Sequence, residues 1–333
     1  MFEMKSRKSS PAGIEKDING GRRSPRLRQR VAWMYYVEEM TQSEIAEALG
    51  IGRITVVRLL SEARAMNEVR VTLARDAAID SSVEIALQKA WAIPEVIVAP
   101  RSSRDVDPRA AIAAAAGPYI SRLLRPGMKL GLGWGETLNR VLGYIEERPV
   151  AELAVVSLLG GMTRVRAANP AEFAWQFARL FGADCYLVAA PAIVDSVATK
   201  NALIDRCGLD EVFEFAKSLD AIAVGVGSIH PKSTNFYGMI SESEQDSLRK
   251  KGAAGDMLYN FFDVQGRLVD HPLNERSMSI PLASLHAAPV RILVAGGSEK
   301  LEAMIGAFHL LRPTVVITDE ITAAGLLEMA QKI

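Results

Sequence analysis

The chain has 333 residues, which is enough for about two domains at roughly 150 residues each. Its hydrophobic fraction of 49% excludes global disorder, and no apolar run approaches the ~18 residues that a membrane span requires. The formal net charge is zero, but residues 1–75 hold 14 Lys and Arg against 9 Asp and Glu, and the remainder carries a net charge of −5. This asymmetry indicates a nucleic-acid contact confined to the N-terminal end.

The cysteine content and the N-terminus indicate the compartment. The two cysteines, Cys185 and Cys207, indicate a reducing environment and no disulfide framework. The first 25 residues are rich in Ser, Gly, Pro, Lys and Arg, and they lack the apolar core of a secretory signal. We therefore expect a disordered basic tail at 1–25 and a cytoplasmic protein without a membrane partner.

The segment Thr41–Met66 is predicted to form two helices about a tight turn. Thr41 and Glu44 have the spacing of a capping box, and Gly50 can end the first helix because it tolerates positive φ. An upstream helix containing Val31, Met34, Tyr35 and Val37 is expected to pack against this pair. A short alternating run, VRVTL (Val69–Leu73), follows and ends the module.

A short helix, a glycine-containing turn and a second helix bearing Arg and Thr are typical of a helix-turn-helix. In the second helix Val56, Leu59, Leu60 and Ala63 share one side. The residues expected to contact the major groove of DNA are Arg53, Thr55, Val57 and Arg58. The alternative is an ordinary pair of helices with solvated charges, and the basic tail favours DNA binding.

After Pro94 the pattern changes to apolar runs alternating with amphipathic segments, which predicts a mostly parallel sheet covered on both faces. The predicted strands are Val96–Ala99, Lys129–Gly133, Leu153–Leu159, Cys185–Ala190, Ala221–Gly227, Val290–Ala295 and Thr314–Thr318. The fold class is therefore a small helical head on a larger Rossmann-like α/β body.

The stretch GLGWGETL places glycines at 131, 133 and 135 between a predicted strand and a predicted helix. A dinucleotide fingerprint would require glycine at the position of Glu136, and the chain has no P-loop, so no cofactor is expected. Backbone N–H groups around Trp134 to Thr137 can still point at a phosphate. The alternative is that the glycines only permit close packing of the strand.

Other polar residues follow predicted strands, where ligands of open α/β sheets bind. They include Asp195, the pair Gly255-Asp256, and Lys300 after Gly296-Gly297. Lys300 opens a helix, where its charge opposes the dipole, so a neighbouring anion would explain it. The four histidines have no metal-ligand spacing, and no nucleophile elbow occurs, so neither a metal site nor a catalytic set is expected.

Taken together, these motifs resemble the SorC family of bacterial sugar-binding transcriptional regulators, which are related to the DeoR type. The resemblance covers about residues 28–331, and the order and spacing of the motifs make it specific. The motifs are YYVEEMTQSEIAEALGIGRITVVRLLSEAR, GLGWGETL, VVSLLGGM, LVAAPAIVDS, AVGVGSI, GAAGDMLYNFFDVQGR and VAGGSEKLEAMIGA.

The resemblance implies a winged helix-turn-helix domain (26–75), a linker helix (76–92) and a sugar-binding effector domain (93–333) of the sugar-phosphate isomerase and deaminase fold. It implies a non-enzymatic regulator of carbohydrate or polyol catabolism, with operator DNA and a phosphorylated sugar as partners, assembled as a homo-oligomer, commonly a tetramer. The ligand residues that it implies are Gly133, Trp134, Gly135, Glu136, Thr137, Asp195, Asp256 and Lys300.

The sequence departs from the family pattern at four positions. Gly52 replaces a common Ser helix cap, and Val57 stands where a polar residue is frequent, which could change the base preference. At the phosphate loop, Trp134 and Glu136 stand where the family has small polar residues, and Glu136 would repel a phosphate if its side chain pointed into the site. Two alternative functions remain: a sugar-phosphate isomerase or deaminase using the same fold, and a nicotinamide-sensing repressor, which the missing fingerprint disfavours.

Overall fold

The computed structural model describes residues 25–66, 68–69, 82–162, 169–230 and 239–332. The chain forms two compact units, Met1–Thr72 and Leu73–Ile333. The predicted tail up to residue 24, residues 70–73 of the predicted VRVTL run and residues 76–81 of the predicted linker lie outside the described residues. None of the described helices is long and apolar enough to cross a bilayer.

The described part of the small unit consists of three helices around one core: α1 (Pro25–Tyr36), α2 (Gln42–Leu49) and α3 (Arg53–Ala65). Val31, Ile45, Val56 and Leu59 are completely buried at their contact. The prediction that Val37 joins this core is wrong. α1 ends at Tyr36, so Val37 lies beyond the last turn and leaves 57% of its surface exposed.

The predicted signals at the helix ends are confirmed. The Thr41 side chain accepts a hydrogen bond from the Glu44 N–H, and the Glu44 carboxylate accepts one from the Thr41 N–H at 2.8 Å. Gly50 ends α2 with φ +64°, a left-handed conformation that favours glycine. Gly52 begins α3 without a side-chain cap. These local signals define a turn of three residues, 50–52, between the two helices.

In the large unit, seven described strands form one parallel sheet in the order β1-β10-β9-β5-β2-β3-β4. All seven predicted strands are confirmed, with ends that shift by up to four residues. The strands are β1 (Glu95–Ala99), β2 (Lys129–Leu132), β3 (Ala154–Ser157), β4 (Asp184–Tyr186), β5 (Ala221–Val224), β9 (Val290–Val294) and β10 (Val315–Asp319).

Helices cover both faces of this sheet. The helices are α4 (Ser82–Trp91), α5 (Pro108–Leu123), α6 (Glu136–Val141), α7 (Pro170–Phe181), α8 (Val197–Arg206), α9 (Asp210–Phe215), α10 (Glu242–Lys250), α11 (Pro272–Arg276), α12 (Leu282–Ala287), α13 (Leu301–Leu311) and α14 (Glu320–Ala330). Short 3-10 turns occupy Leu142–Tyr144, Ala216–Ser218 and Ser298–Lys300.

Alternate residues of each strand enter two separate cores. In β5, Ile222 and Val224 join the core that contains α13 and α14, whereas Ala221 and Ala223 join the core that contains α5, α6 and α7. This two-sided burial explains why the strands are unbroken apolar runs in the sequence. In the second core, α7 contributes buried phenylalanines, each stabilising the fold by roughly 1.5–3 kcal/mol.

A three-stranded antiparallel sheet was not predicted: β6 (Gly227–Ser228), β7 (Gly255–Met257) and β8 (Asn260–Phe262). Leu258 and Tyr259 form its two-residue hairpin turn, with φ of +55° and +56°. Such turns usually contain Asn and Gly, so this sequence lacks the ordinary signal for a hairpin. The position of the turn therefore depends on tertiary contacts.

The helix at the start of the larger unit, α4, packs directly on the sheet. Glu84 is 2% exposed, and its carboxylate accepts a hydrogen bond from the Val98 N–H at 2.8 Å. Leu87 is buried in the core beside it. At the end of the helix, Trp91 Nε1–H donates to the Leu326 carbonyl at 3.3 Å. These contacts attach α4 to β1 and α14.

Candidate functional site

A cavity of about 490 Å³ opens where the chain leaves β2, β5 and β9. These strands are neighbours in the sheet, so the loops at their carboxyl ends converge. The loop between β1 and α5 forms another wall, and the β7–β8 hairpin contributes two residues. The lining consists of Arg101, 104–109, 134–138, 225–227, Asp256, Leu258, Val294, Gly296, Glu299 and Lys300.

Glycine is required at each of the three positions in KLGLGWG for a different structural reason. A Cβ on Gly131 would lie 3.0 Å from the Ile222 side chain and closer still to two leucines, so this glycine permits close packing. A Cβ on Gly133 would lie 3.1 Å from the Val224 Cα in the neighbouring strand. Gly135 has open space around it but a φ of +132°, which L side chains rarely adopt. Only the last glycine shapes the cavity wall directly.

Glu136, the first residue of α6, lines the cavity, and its carboxylate forms an ion pair with Arg109. The Arg109 Nε–H also donates to Asp107 Oδ1 at 2.8 Å, and Arg140 lies 3.3 Å from Asp107 Oδ2. Burial raises the pKa of Asp107, but hydrogen bonds from Arg109 outweigh it and hold this pKa below the ordinary value. The result is a charged network that connects the end of the β1–α5 loop and the first turn of α5 with α6.

Asp256 is the most deeply buried acid of the cavity, with 6% of its surface exposed. Burial raises its pKa to about 6, although the Tyr259 N–H and the charge of Lys300 act in the opposite direction. The Tyr259 N–H donates to Asp256 Oδ2 at 3.1 Å, so the carboxylate also holds the hairpin turn. A Cβ on Gly227 would lie 2.0 Å from Asp256 Oδ1, so glycine there makes room for this carboxylate.

Lys300 is half-buried at the start of α13, and its Nζ donates to the Val226 carbonyl at 3.0 Å. Burial lowers the pKa of Lys300, and the nearby carboxylates of Glu299 and Asp256 partly offset this effect. These carboxylates are the anions that the helix-opening position of this lysine led us to expect. The lysine therefore joins the loops after β5 and β9.

Sequence reasoning missed the segment RSSRDVDPR (101–109), which contains the β1–α5 loop and the start of α5, although its charges directly follow a predicted strand. The Arg101 guanidinium lies 3.1 Å from Asp319 Oδ1, and the two side chains are 6% and 0% exposed. The same side chain donates to the Val106 carbonyl at 2.8 Å, and the Arg101 N–H donates to Glu320 at 3.0 Å. This buried pair anchors the loop to the carboxyl end of β10.

Six of the eight predicted ligand residues line the cavity: Trp134, Gly135, Glu136, Thr137, Asp256 and Lys300. Gly133 lies just beneath it, where its N–H donates to the Ala223 carbonyl at 2.8 Å. The structure does not bring Asp195 to this cavity. Asp195 is exposed before α8, where a hydrogen bond from Thr199 lowers its pKa.

In the small unit, the predicted DNA-contacting residues lie on the first two turns of α3. Arg53, Val57 and Arg58 are exposed, whereas Thr55 is half-buried. Arg58 lies 3.6 Å from Glu62 in an exposed i,i+4 pair, which contributes well under 1 kcal/mol to stability. Sequence reasoning did not single out Ile54, which leaves 86% of its surface exposed on the same helix.

The cavity has the character of a site for a small polar molecule. Among its lining residues, four cationic side chains accompany five acidic ones, so the wall is rich in both donors and acceptors. In the part of the chain that the structure describes, no group of three or more His, Cys, Asp or Glu could hold a metal ion.

Known protein families match the sequences of both units. The sugar-binding domain family matches residues 75–328, and the family of sigma-70 region 4 matches residues 24–67. The erythritol catabolism regulatory protein EryD of Brucella abortus is 29% identical, covering 90% of this chain and 96% of that protein. The transcriptional regulator LsrR of Escherichia coli O139:H28 is 31% identical, covering 90% and 93%.

A solved structure is also similar. The full-length sorbitol operon regulator SorC of Klebsiella pneumoniae matches with a TM-score of 0.69 at 28% identity, covering 91% of this chain and 98% of that one.

A helix-turn-helix unit joined to an α/β unit with a polar cavity defines a ligand-responsive DNA-binding regulator. The chain belongs to the SorC family of sugar-binding transcriptional regulators.

Proposed function

We propose that this protein regulates transcription of carbohydrate or polyol catabolism, and that a phosphorylated sugar or polyol in the cavity controls its binding to operator DNA. The observation that carries the proposal is that Asp256 and Lys300 line one cavity at the carboxyl ends of the parallel strands. The names of two relatives support the substrate class, since they refer to erythritol catabolism and to the sorbitol operon.

The cavity chemistry suits a polyhydroxylated molecule. Carboxylates of Asp256, Asp107 and Glu136 can accept hydrogen bonds from hydroxyl groups. A lysine Nζ has three donors, of which the Val226 carbonyl takes one, so Lys300 can donate to effector oxygens as well. We assign the phosphate to Lys300, because Arg109 is already held by two carboxylates.

Regulation follows from differential binding. An effector can shift operator affinity only by as much as it distinguishes two arrangements of the protein. The cavity wall contains contacts between separate elements, namely the ion pair of Arg109 with Glu136 and the hydrogen bond from Lys300 to Val226. We propose that the effector replaces these contacts with its own contacts to the same side chains, which changes the conformation of the segments around the cavity.

The proposal gives the site no catalytic role. It assigns Asp256 and Lys300 to binding, and it makes the isomerase or deaminase function the alternative. Incubation of the full-length protein with sugar phosphates, followed by product analysis, tests this directly. Turnover at an enzyme-like rate would favour the alternative.

The central experiment is a thermal-shift screen of the full-length protein with free and phosphorylated pentitols, hexitols, aldoses and ketoses. A bound effector raises the apparent stability by mass action. Lys300→Ala should weaken the apparent affinity for a phosphorylated hit at least tenfold, and the thermal shift at a given ligand concentration should be smaller. Lys89→Ala, an exposed lysine of α4, is the matched control. Equal binding by Lys300→Ala and wild type would remove the lysine from the site.

We also propose a cytoplasmic homo-oligomer, a tetramer as the family resemblance implies. Light scattering coupled to gel filtration measures its mass in solution. A monomer at micromolar concentration would contradict this part of the proposal.

A further inference from the structure

Helix α3, the second helix of the helix-turn-helix, exposes two large β-branched side chains. Ile54 leaves 86% of its surface exposed, and Val57 leaves 45%. Among the described residues, no other large hydrophobic side chain is as exposed as Ile54. These side chains are not part of the core, which α3 contacts through Val56 and Leu59, both completely buried.

Ile54 and Val57 lie on one face of the helix together with two arginines. A spacing of three places Ile54 beside Val57, and a spacing of four places Arg53 beside Val57 and Ile54 beside Arg58. All four residues are exposed. The face formed by Arg53, Ile54, Val57 and Arg58, called here the reading face, therefore combines an apolar centre with two cationic edges.

The reading face matches the chemistry of a DNA major groove. Its arginines suit the phosphate backbone and the acceptor atoms of guanine. On the base edges of the major groove, the apolar group available to a protein is the C5-methyl of thymine. A partner surface that is anionic at its edges and carries methyl groups between them complements this face in both charge and polarity.

We propose that Ile54 and Val57 read thymine methyl groups in the operator half-site, while Arg53 and Arg58 contact phosphate or guanine. This inference rests on the proposed function, because it requires the protein to bind DNA. It adds Ile54 as a residue that determines specificity, and it gives Val57 a direct apolar contact. The protein therefore selects its operator through the presence of a methyl group as well as through hydrogen bonds.

The test uses duplexes that the full-length protein selects from a random pool. The selected duplex is resynthesised with deoxyuridine in place of thymidine at one position at a time, which removes one methyl group. Fluorescence anisotropy at fixed salt then measures the dissociation constant. Loss of a buried methyl should weaken binding about fourfold at each contacted thymine.

Variants assign each methyl to a side chain. For one base position, Ile54→Ala should bind the duplex with thymidine and the duplex with deoxyuridine with equal affinity. Val57→Ala should show the same equality for a different base position. Val37→Ala, an exposed apolar residue outside α3, should keep the full fourfold difference. Ile54→Ala should leave unchanged the slope of the logarithm of the binding constant against the logarithm of the salt concentration. Arg58→Ala should reduce this slope by about 1 if that arginine neutralises a phosphate.

The outcomes separate this inference from the proposed function. Selection of no duplex would overturn both. A selected duplex whose affinity is insensitive to deoxyuridine at every position overturns the inference alone, and so does an equal loss of affinity for both duplexes in Ile54→Ala. If Ile54→Ala/Val57→Ala changes the oligomeric mass and not DNA affinity, the reading face is a contact between copies of the chain and the inference is wrong.

Discussion

Arg109 and Glu136 form an ion pair that joins the first turn of α5 to the first turn of α6. Arg109 also donates to Asp107, so two carboxylates hold one guanidinium at the cavity wall. Glu136 lines the cavity, and Arg109 balances its charge. A phosphate that needed Arg109 would have to displace one of these carboxylates.

Replacing Glu136 with Gln should favour phosphorylated ligands. The substitution removes a negative charge from the cavity wall and releases Arg109 from one partner. We expect the affinity for a phosphorylated sugar, relative to its free form, to rise on the order of tenfold. Isothermal titration calorimetry with both forms measures this ratio.

Glu172→Gln is the matched control, because Glu172 is exposed on α7 and contacts Gln176. It should leave the ratio unchanged. Equal changes for the phosphorylated and the free ligand in Glu136→Gln would show that the carboxylate does not act on the phosphate.

Asp256→Asn should change how stability depends on pH. In the folded protein the pKa of Asp256 is about 6, above the ordinary value of roughly 3.9. Because this pKa is raised, the contribution of the Asp256 side chain to stability is fully present below about pH 4 and is lost as the pH rises through 6. Asp256→Asn should remove this loss, which approaches about 3 kcal/mol. Urea unfolding between pH 3.5 and 7.5 measures the difference.

Asp195→Asn provides a control of opposite sign. Asp195 has a lowered pKa, so its contribution is lost as the pH falls. Its variant should not reproduce the change seen with Asp256→Asn. Parallel pH profiles for wild type and Asp256→Asn would contradict the burial argument.

Arg101→Ala should destabilise the large unit strongly. The change leaves the completely buried Asp319 carboxylate without this guanidinium, and breaking a buried pair costs roughly 3–5 kcal/mol. Arg267→Ala breaks the exposed pair with Asp263, where Arg267 is 76% exposed, and should cost under ~1 kcal/mol. Chemical denaturation of both variants gives the comparison. Similar costs for the two would show that the Arg101 pair does not anchor its loop.

Local patterns predicted most of the architecture. The capping box of Thr41 and Glu44, the left-handed Gly50 and the buried side of α3 are properties of short stretches, so the sequence was sufficient to predict them. The same holds for the seven parallel strands, because burial on both faces requires unbroken apolar runs. The β7–β8 hairpin was missed because Leu258 and Tyr259 are not residues of an ordinary hairpin turn.

The candidate site could be predicted only in part. Glycines and polar residues after strands pointed to Trp134–Thr137, Asp256 and Lys300, since the ends of parallel strands meet at one edge. Nothing local distinguishes Asp195, which also follows a strand but lies outside the cavity. Arg101 and Arg109 were missed because their partners Asp319 and Glu136 are distant in the sequence.

The sequence by itself determined the helix-turn-helix, the alternation of strands and helices, and the glycine-rich stretch KLGLGWGETLNR. These features depend on backbone preferences and on the periodicity of apolar residues, which neighbouring residues set. Only the tertiary structure decided what the glycines are for and where Glu136 points. Gly131 and Gly133 pack against β5 and Gly135 bends the chain, whereas Glu136 pairs with Arg109 at the start of α5. Such pairings arise when the sheet brings separate loops together, and no local pattern encodes them.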